Sequence, residues 1–326
     1  MNREQYAAML KDISETHKAG GDTAACIAKY NERYKFMYIY NDNVFKILFG
    51  SPENEKITID FLNAVLGFIG SDCINNLAYI NPALSDAFGK SITSDIVATD
   101  QRLDRIVLEV QHIEDNSYNA RLVLYTAKHT IASRIKGEDY ALQNLNLISL
   151  QMFDGFPNSP NYRHSIRFKN QENEEFYNKQ TITLVEIPKF LKGNFTTDNS
   201  RIAEWLRVID GLNNETPVAI PEGSPFALLQ EKAQLSIFTE EFLVSEAMKM
   251  SDHKYELYVE KKHARKEGLE EGRAEGRAKG LTEGADAKAR EMAAAMLADG
   301  DSVEKVVRIS KLPESDVLAI KACLQK

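Results

Sequence analysis

The sequence lacks most of what a secreted, membrane-embedded or nucleotide-hydrolysing protein would carry. Its three cysteines, Cys26, Cys73 and Cys323, are odd in number and far apart, with neither zinc-site spacing nor a disulfide framework. Reduced thiols in a cytoplasmic protein are the expectation. The opening residues, Met1-Asn2-Arg3-Glu4-Gln5, hold no apolar leader. No uncharged apolar stretch reaches the ~18 residues of a membrane span, so no membrane partner is expected. There is no G-x-x-x-x-G-K-[ST] phosphate loop, no G-x-S-x-G elbow and no H-E-x-x-H helix, which argues against NTP hydrolysis, serine-ester hydrolysis and zinc proteolysis. His112, His129 and His164 form no metal-ligand pattern. Net positive charge is also missing: the formal charge is −8, which argues against coating DNA through bulk charge, although local basic patches still serve phosphate contacts.

What is present suits a folded α/β protein. Of the 326 residues, 43% are hydrophobic and 27% charged, enough to bury a real core. Residues 1–40 read as a helical extension, broken at Ala19-Gly20-Gly21. Apolar positions recur at helical spacing from Val44 to Leu66, with a break at Gly50-Ser51-Pro52. Strand-like runs follow at 73–80, 91–99, 103–111 and 145–153, with a helix at 117–136 between the last two. Further strands at 162–169 and 180–187 and a helix around 199–210, carrying Trp205, close a main domain over 41–213. This order predicts a compact α/β sandwich. Three prolines mark 214–225 as a linker. A charged helical segment is predicted over 226–291, with Gly268, Gly272, Gly276, Gly280 and Gly284 at every fourth position, and a short helix pair over 292–326. Each such glycine costs a helix ~1 kcal/mol relative to alanine. Two readings of the stripe stand: a solvated tether, or close helix–helix contact giving a homo-oligomer.

The chemistry concentrates in one predicted hairpin. Ser91-Ile92-Thr93-Ser94-Asp95-Ile96-Val97-Ala98-Thr99 runs to a polar turn at Asp100-Gln101-Arg102 and returns as Leu103 to Gln111. Side chains alternate along a strand. A turn centred on Arg102 therefore pairs positions whose numbers sum to 204 and sets Asp95 opposite Glu109, with Cβ atoms ~5 Å apart. Two carboxylates so placed repel each other unless a divalent cation lies between them. The alternative is Asp95 at the solvent edge and Glu109 paired with Arg102 or Arg105. On the following helix, Tyr118, Arg121, Tyr125 and Lys128 share one face, and Leu122, Ala127, Ile131 and Ile135 share the other, the latter expected on the sheet. From Asn116 to Lys136 there is no acidic residue, so Arg121, Tyr125 and Lys128 are candidates for DNA contact, with an ordinary solvated face as the alternative.

These motifs in this order resemble the PD-(D/E)XK nuclease superfamily, and more narrowly the Rpn family of recombination-promoting nucleases, also described as transposases. Asp42-Asn43-Val44-Phe45-Lys46-Ile47-Leu48-Phe49-Gly50 resembles the family's opening D-x-x-F-K-x-x-F-G, and Phe61 to Leu66 its next helix. Asp95 and Glu109-Val110-Gln111 fall where the catalytic D and E-x-K elements are expected. Leu184 to Phe190, the glycine-periodic tail and the final helix pair are also similar to family features. The resemblance implies a restriction-endonuclease-like core, with a mixed central sheet flanked by helices, over 41–213, plus a mainly helical C-terminal tail. It implies a metal-dependent DNA endonuclease, a phosphodiester hydrolase linked to recombination or transposition. Asp95, Glu109 and the Val110 carbonyl would hold Mg²⁺ (or Mn²⁺), with Gln111 positioning water and Asp42 either in the outer shell or capping its helix. Gln111 departs from the general pattern, because it stands where a lysine would supply charge. A catalytically degenerate DNA-binding or oligomeric scaffold, or a ribonuclease using the same site, are the alternatives.

Overall fold

The structure, a computed structural model, describes residues 1–81, 83–85, 91–112, 114, 117–135, 141–193, 195–250, 273, 277, 279–280, 284 and 286–324. It divides into two compact units, Met1–Lys249 and Met250–Lys326.

The first unit opens with helices α1 (Arg3–Lys18), fixed by an Asn2/Gln5 capping box, and α2 (Thr23–Arg33), capped by Asp22. Helices α3 (Asp42–Gly50) and α4 (Glu55–Leu66) follow, separated where Pro52 starts a short 3₁₀ turn. Their apolar stripes bury Phe45, Phe49 and Phe61 against Trp205 of helix α7 (Arg201–Asn214), with neighbouring ring centroids 4.3, 5.0 and 5.4 Å apart. Each fully buried aromatic contributes roughly 2–3 kcal/mol. This cluster locks α3, the helix that carries Lys46, in place.

The strands are β1 (Leu77–Tyr79), β2 (Ala83–Ser85), β3 (Ser91–Thr93), β4 (Ile96–Asp100), β5 (Arg105–Gln111), β6 (Leu145–Gln151), β7 (Arg163–Lys169) and β8 (Glu175–Glu186). Six of them form one mixed sheet in the order β1-β4-β5-β6-β8-β7, while β2 and β3 pair apart from it. β5, β6 and β8 are parallel, and β7 runs antiparallel on the edge. As befits parallel strands covered on both faces, β5 and β6 are buried almost throughout. Helix α5 (Tyr118–Ala132) covers one face, with Tyr118 and Leu122 on Val107, Leu145, Leu147 and Leu184. α3 covers the other, where Gly50 lies against Ile96. This is the expected α/β core, a mixed sheet flanked by helices.

One expectation about this unit is corrected. The strand predicted over 91–99 is interrupted at Ser94-Asp95. Segments on either side of the predicted main domain pair with each other and with it. Met37 and Ile39 donate main-chain hydrogen bonds to the Ala233 carbonyl and to Asn213 Oδ1, and Leu235 donates to the Lys35 carbonyl. The N-terminal helices, the proline-bearing stretch and helices α6 (Ile187–Lys192), α8 (Pro225–Lys232) and α9 (Glu240–Met250) are thus integral to the first unit. Much of α8 and α9 is polar, yet Phe226, Leu229, Leu243 and Ala247 are buried.

In the second unit, helical residues 286–298 (α10) meet α11 (Val303–Ser310) and α12 (Glu314–Leu324) around Ala293, Val306, Leu312 and Val317. Gly268, Gly272 and Gly276 lie outside the described residues. Gly280 and Gly284 are helical, and no atom lies within 4 Å of a Cβ added at either, so neither packs closely against another part of this chain among the described residues. No helix among the described residues is long and apolar enough to cross a membrane.

Candidate active site

The β4–β5 register pairs Ile96 with Leu108, Val97 with Val107, Ala98 with Ile106 and Thr99 with Arg105. Every pair sums to 204, as the turn argument requires. Asp95 sits one residue before β4 and does not continue the ladder. Its side chain does so instead: Val110 N–H donates to Asp95 Oδ2 at 2.8 Å. The carboxylate thereby takes the place of a ladder carbonyl, which is the physical reason for the interruption at 94–95. On the other oxygen, Lys46 Nζ lies 2.9 Å from Asp95 Oδ1.

Glu109 points to the same place. The Ser94 hydroxyl and the Asp95 main-chain N–H hydrogen-bond its carboxylate, while Oε1 is buried with no hydrogen-bond partner. Burial, then the Asp95 charge, pushes the Glu109 carboxyl up to about 8, against the pull of these hydrogen bonds and of Lys46. Burial also raises Asp95, opposed by the Val110 N–H and by Lys46. Burial acts to lower Lys46, but Asp95, Asp42 and Glu109 outweigh it and hold the ammonium charged. The alternative pairing of Glu109 with Arg102 or Arg105 is not made. Arg102 engages Asp100 and Asp104, and Arg105 turns to His129.

That turn builds a polarised chain behind the carboxylate. Arg105 Nε donates to His129 Nδ1 at 3.0 Å, and His129 Nε2 lies 3.0 Å from Ser94 Oγ. A guanidinium only donates, so Nδ1 is an acceptor and Nε2 carries the proton. Ser94 Oγ then accepts from histidine and directs its own hydrogen at Glu109. His129 is fully buried, and burial, then Arg105, lowers its pKa to about 4, keeping it neutral.

Gln111, two residues along the same face, accepts from Arg121 Nη2 at 2.6 Å, which obliges it to present its oxygen to the arginine. Arg121 also lies over the Tyr118 ring, 5.3 Å from its centroid. The facing predicted for α5 is corrected. Tyr118 and His129 are buried with Leu122, whereas Ile131 is 70% exposed and Ala127 is exposed. Polar anchors set the inward face: Tyr118 bonds Ser149 on the sheet, and His129 bonds Ser94 and Arg105. Arg121, Tyr125 and Lys128 are consequently half-buried rather than a free outer stripe. The Tyr125 hydroxyl is raised by burial, then by the Glu109 charge. Asp42 is the first residue of α3, but Asn41 caps that helix by accepting from Asn43 and Val44. Asp42 lies 3.2 Å from His112 Nε2 and acts on Asp95 only through its charge.

The donor set fits a hard divalent cation. It offers two largely desolvated carboxylates, one with an orphaned oxygen, and no soft ligand. Among the described residues no group of three His, Cys, Asp or Glu is arranged to hold a metal ion. Lys46, Ser94 and His129 carry no site role in the sequence reading, and Arg105 only that of a partner to Glu109. Lys46 had a signal, since it stands one helical turn after Asp42 in the D-x-x-F-K run. Ser94 and His129 had none, being joined only by the fold.

Comparison with curated proteins and with solved structures returned no match. The sequence profile of the family described as PD-(D/E)XK nuclease family transposase matches residues 39–271, a span that takes in α3, the hairpin and α5. With most of its length matched, and with a mixed sheet flanked by helices, the chain belongs to the PD-(D/E)XK nuclease family of transposases.

Proposed function

We propose that this protein is a Mg²⁺-dependent DNA endonuclease serving recombination or transposition. One observation carries the reading: Asp95 and Glu109 are brought together where burial disfavours both charges and Asp95 repels Glu109, with Glu109 Oε1 left without a partner. A fold retains such a pair at a cost to stability, and the cost is offset if the pair has a cation to hold. Asp95, Glu109 and the Val110 carbonyl are the residues that would hold it. The bound ion supplies Lewis-acid polarisation of a phosphodiester and a water acidified for attack.

The chain's own groups do the rest. Ser94, His129 and Arg105 fix the Glu109 carboxylate and favour its charged form. Arg121 fixes the Gln111 amide, which orients the attacking water. Tyr125 and Lys128 line the approach for the DNA backbone, with Asp42 an outer charge.

The test is relaxation and linearisation of supercoiled plasmid by purified protein in Mg²⁺ or EDTA. Cleavage by wild type, lost by at least ~100-fold in Asp95→Asn and in Glu109→Gln, is expected. Cleavage that survives both substitutions, or none in Mg²⁺, would refute it. Structured RNA as a parallel substrate distinguishes a ribonuclease, and DNA binding without cleavage distinguishes a scaffold.

A further inference from the structure

Charge balance at the site poses a question that Gln111 leaves open. Two carboxylates and one scissile phosphate bring three negative charges, and phosphoryl transfer adds more on the phosphate oxygens as the transition state is reached. One divalent ion balances only two. The Gln111 amide contributes no charge, and Arg121 is directed at the Gln111 oxygen and the Tyr118 ring.

Lys46 reaches the pair from a different layer of the fold. It stands on α3, which the Phe45–Phe49–Phe61–Trp205 cluster holds rigidly, and its Nζ contacts Asp95 Oδ1 at 2.9 Å. Its side chain is 36% exposed and that of Asp95 14%, so the lysine is the more solvent-accessible member of the pair. A lysine ammonium carries three donors on a flexible stem and can leave one anion for another.

We infer that Lys46 is a catalytic residue of this site: in the resting protein it is the counter-ion of Asp95, and on substrate binding it transfers to a non-bridging oxygen of the scissile phosphate. This rests on the nuclease reading above. The move is an exchange of ionic partners, with no bond made or broken. Once a divalent ion neutralises Asp95, the ammonium loses its partner there and is drawn to the nearest remaining anion. The charge that E-x-K sites carry on the β-strand would here be supplied across the site, from the helix.

The test uses the full chain as wild type, Lys46→Met, Lys46→Gln, and Lys46→Met combined with Gln111→Lys. Two readouts need no turnover. Affinity for a short duplex in Ca²⁺, titrated between ~50 and ~200 mM salt, is expected to weaken about fivefold in Lys46→Met, with the salt slope smaller by about one. Mg²⁺ binding to the free protein is expected to tighten about tenfold, because the competing ammonium is gone. Plasmid cleavage should fall about 100-fold or more and recover at least tenfold when Gln111→Lys is added, a rescue that a merely structural lysine would not permit. An unchanged salt slope, or near-wild-type cleavage by a folded Lys46→Met or Lys46→Gln, overturns the inference and leaves the nuclease reading standing. If wild type cleaves nothing, the nuclease reading falls, while the Ca²⁺ duplex titration still decides whether Lys46 meets a phosphate.

Discussion

Glu109→Gln should stabilise the protein at alkaline pH and leave it almost unchanged at acid pH. Burial, then Asp95, holds the Glu109 carboxyl at about 8 in the folded chain, against an ordinary 4.5. Between these values the folded state keeps a proton that the unfolded state has released. Stability therefore falls as pH rises through that window, and falls no further above it. At ~1.4 kcal/mol per pH unit the window has a ceiling of roughly 5 kcal/mol. Solvent access to a half-buried group and relaxation of Lys46 reduce it, and about 2 kcal/mol is expected at pH ~8.5. Glutamine keeps the shape and can still accept from Ser94 and from the Asp95 main chain, so the removed charge dominates the difference. For a unit of this size that gain is about 4–8 °C in Tm. Thermal melts by circular dichroism in EDTA, at pH ~5 and ~8.5, measure it. Equal melting of the two proteins at both values, or a variant less stable at the higher one, would refute the claim that the pair is electrostatically strained. Millimolar Mg²⁺ should close the gap at pH ~8.5 by raising wild type and not the variant.

The remaining predictions concern the groups behind the site and the second unit. His129→Phe leaves the Arg105 Nε buried without its acceptor and should cost about 3 kcal/mol at neutral pH, read from urea unfolding. It should also change the acid limb. His129 is lowered from 6.5 to about 4, so its contribution is complete above the upper value and lost as pH falls toward the lower one. A variant with the wild-type acid limb would show that histidine is not the group responsible. For the second unit, Met292, Ile309, Leu318 and Leu324 are 41–51% exposed on a small helical body. A truncation after Glu260 should leave the first unit folded and lower the sedimentation mass to that of one chain. Unaltered assembly on truncation would remove the tail from any oligomer.

How much of this was legible in the sequence follows from the range of each interaction. The hairpin register was, because a two-residue period and a polar turn at Asp100-Gln101-Arg102 determine it locally, and four observed pairs obey the same sum. Helices α3 and α4 were as well, through apolar spacing and the Gly50-Ser51-Pro52 stop. The facing of α5 was not. Periodicity assigned its inward side by aliphatic content, whereas Tyr118 and His129 go inward because Ser149, Ser94 and Arg105 offer them partners on the sheet. Those partners are 24 to 35 residues away in sequence. The same limit hid where α8 and α9 pack, although helix was expected there, until Lys35, Phe36 and Met37 are seen to pair with residues 233–235.

The break at Ser94-Asp95 shows how the site and the fold constrain each other. An unbroken strand would have set Asp95 and Glu109 side by side on one pleated face, with Ser94 turned to the other. With Asp95 folded back onto the Val110 N–H, its carboxylate becomes part of the sheet's own hydrogen-bond ladder. It can then neither rotate away from Glu109 nor take up solvent freely. Ser94 is freed by the same break to stand between His129 and Glu109. One local departure from regular strand geometry thus makes the repulsion permanent and recruits the chain that orients it. A sequence rule built on ideal strands identifies the right pair of carboxylates, but it understates how firmly the fold holds them together.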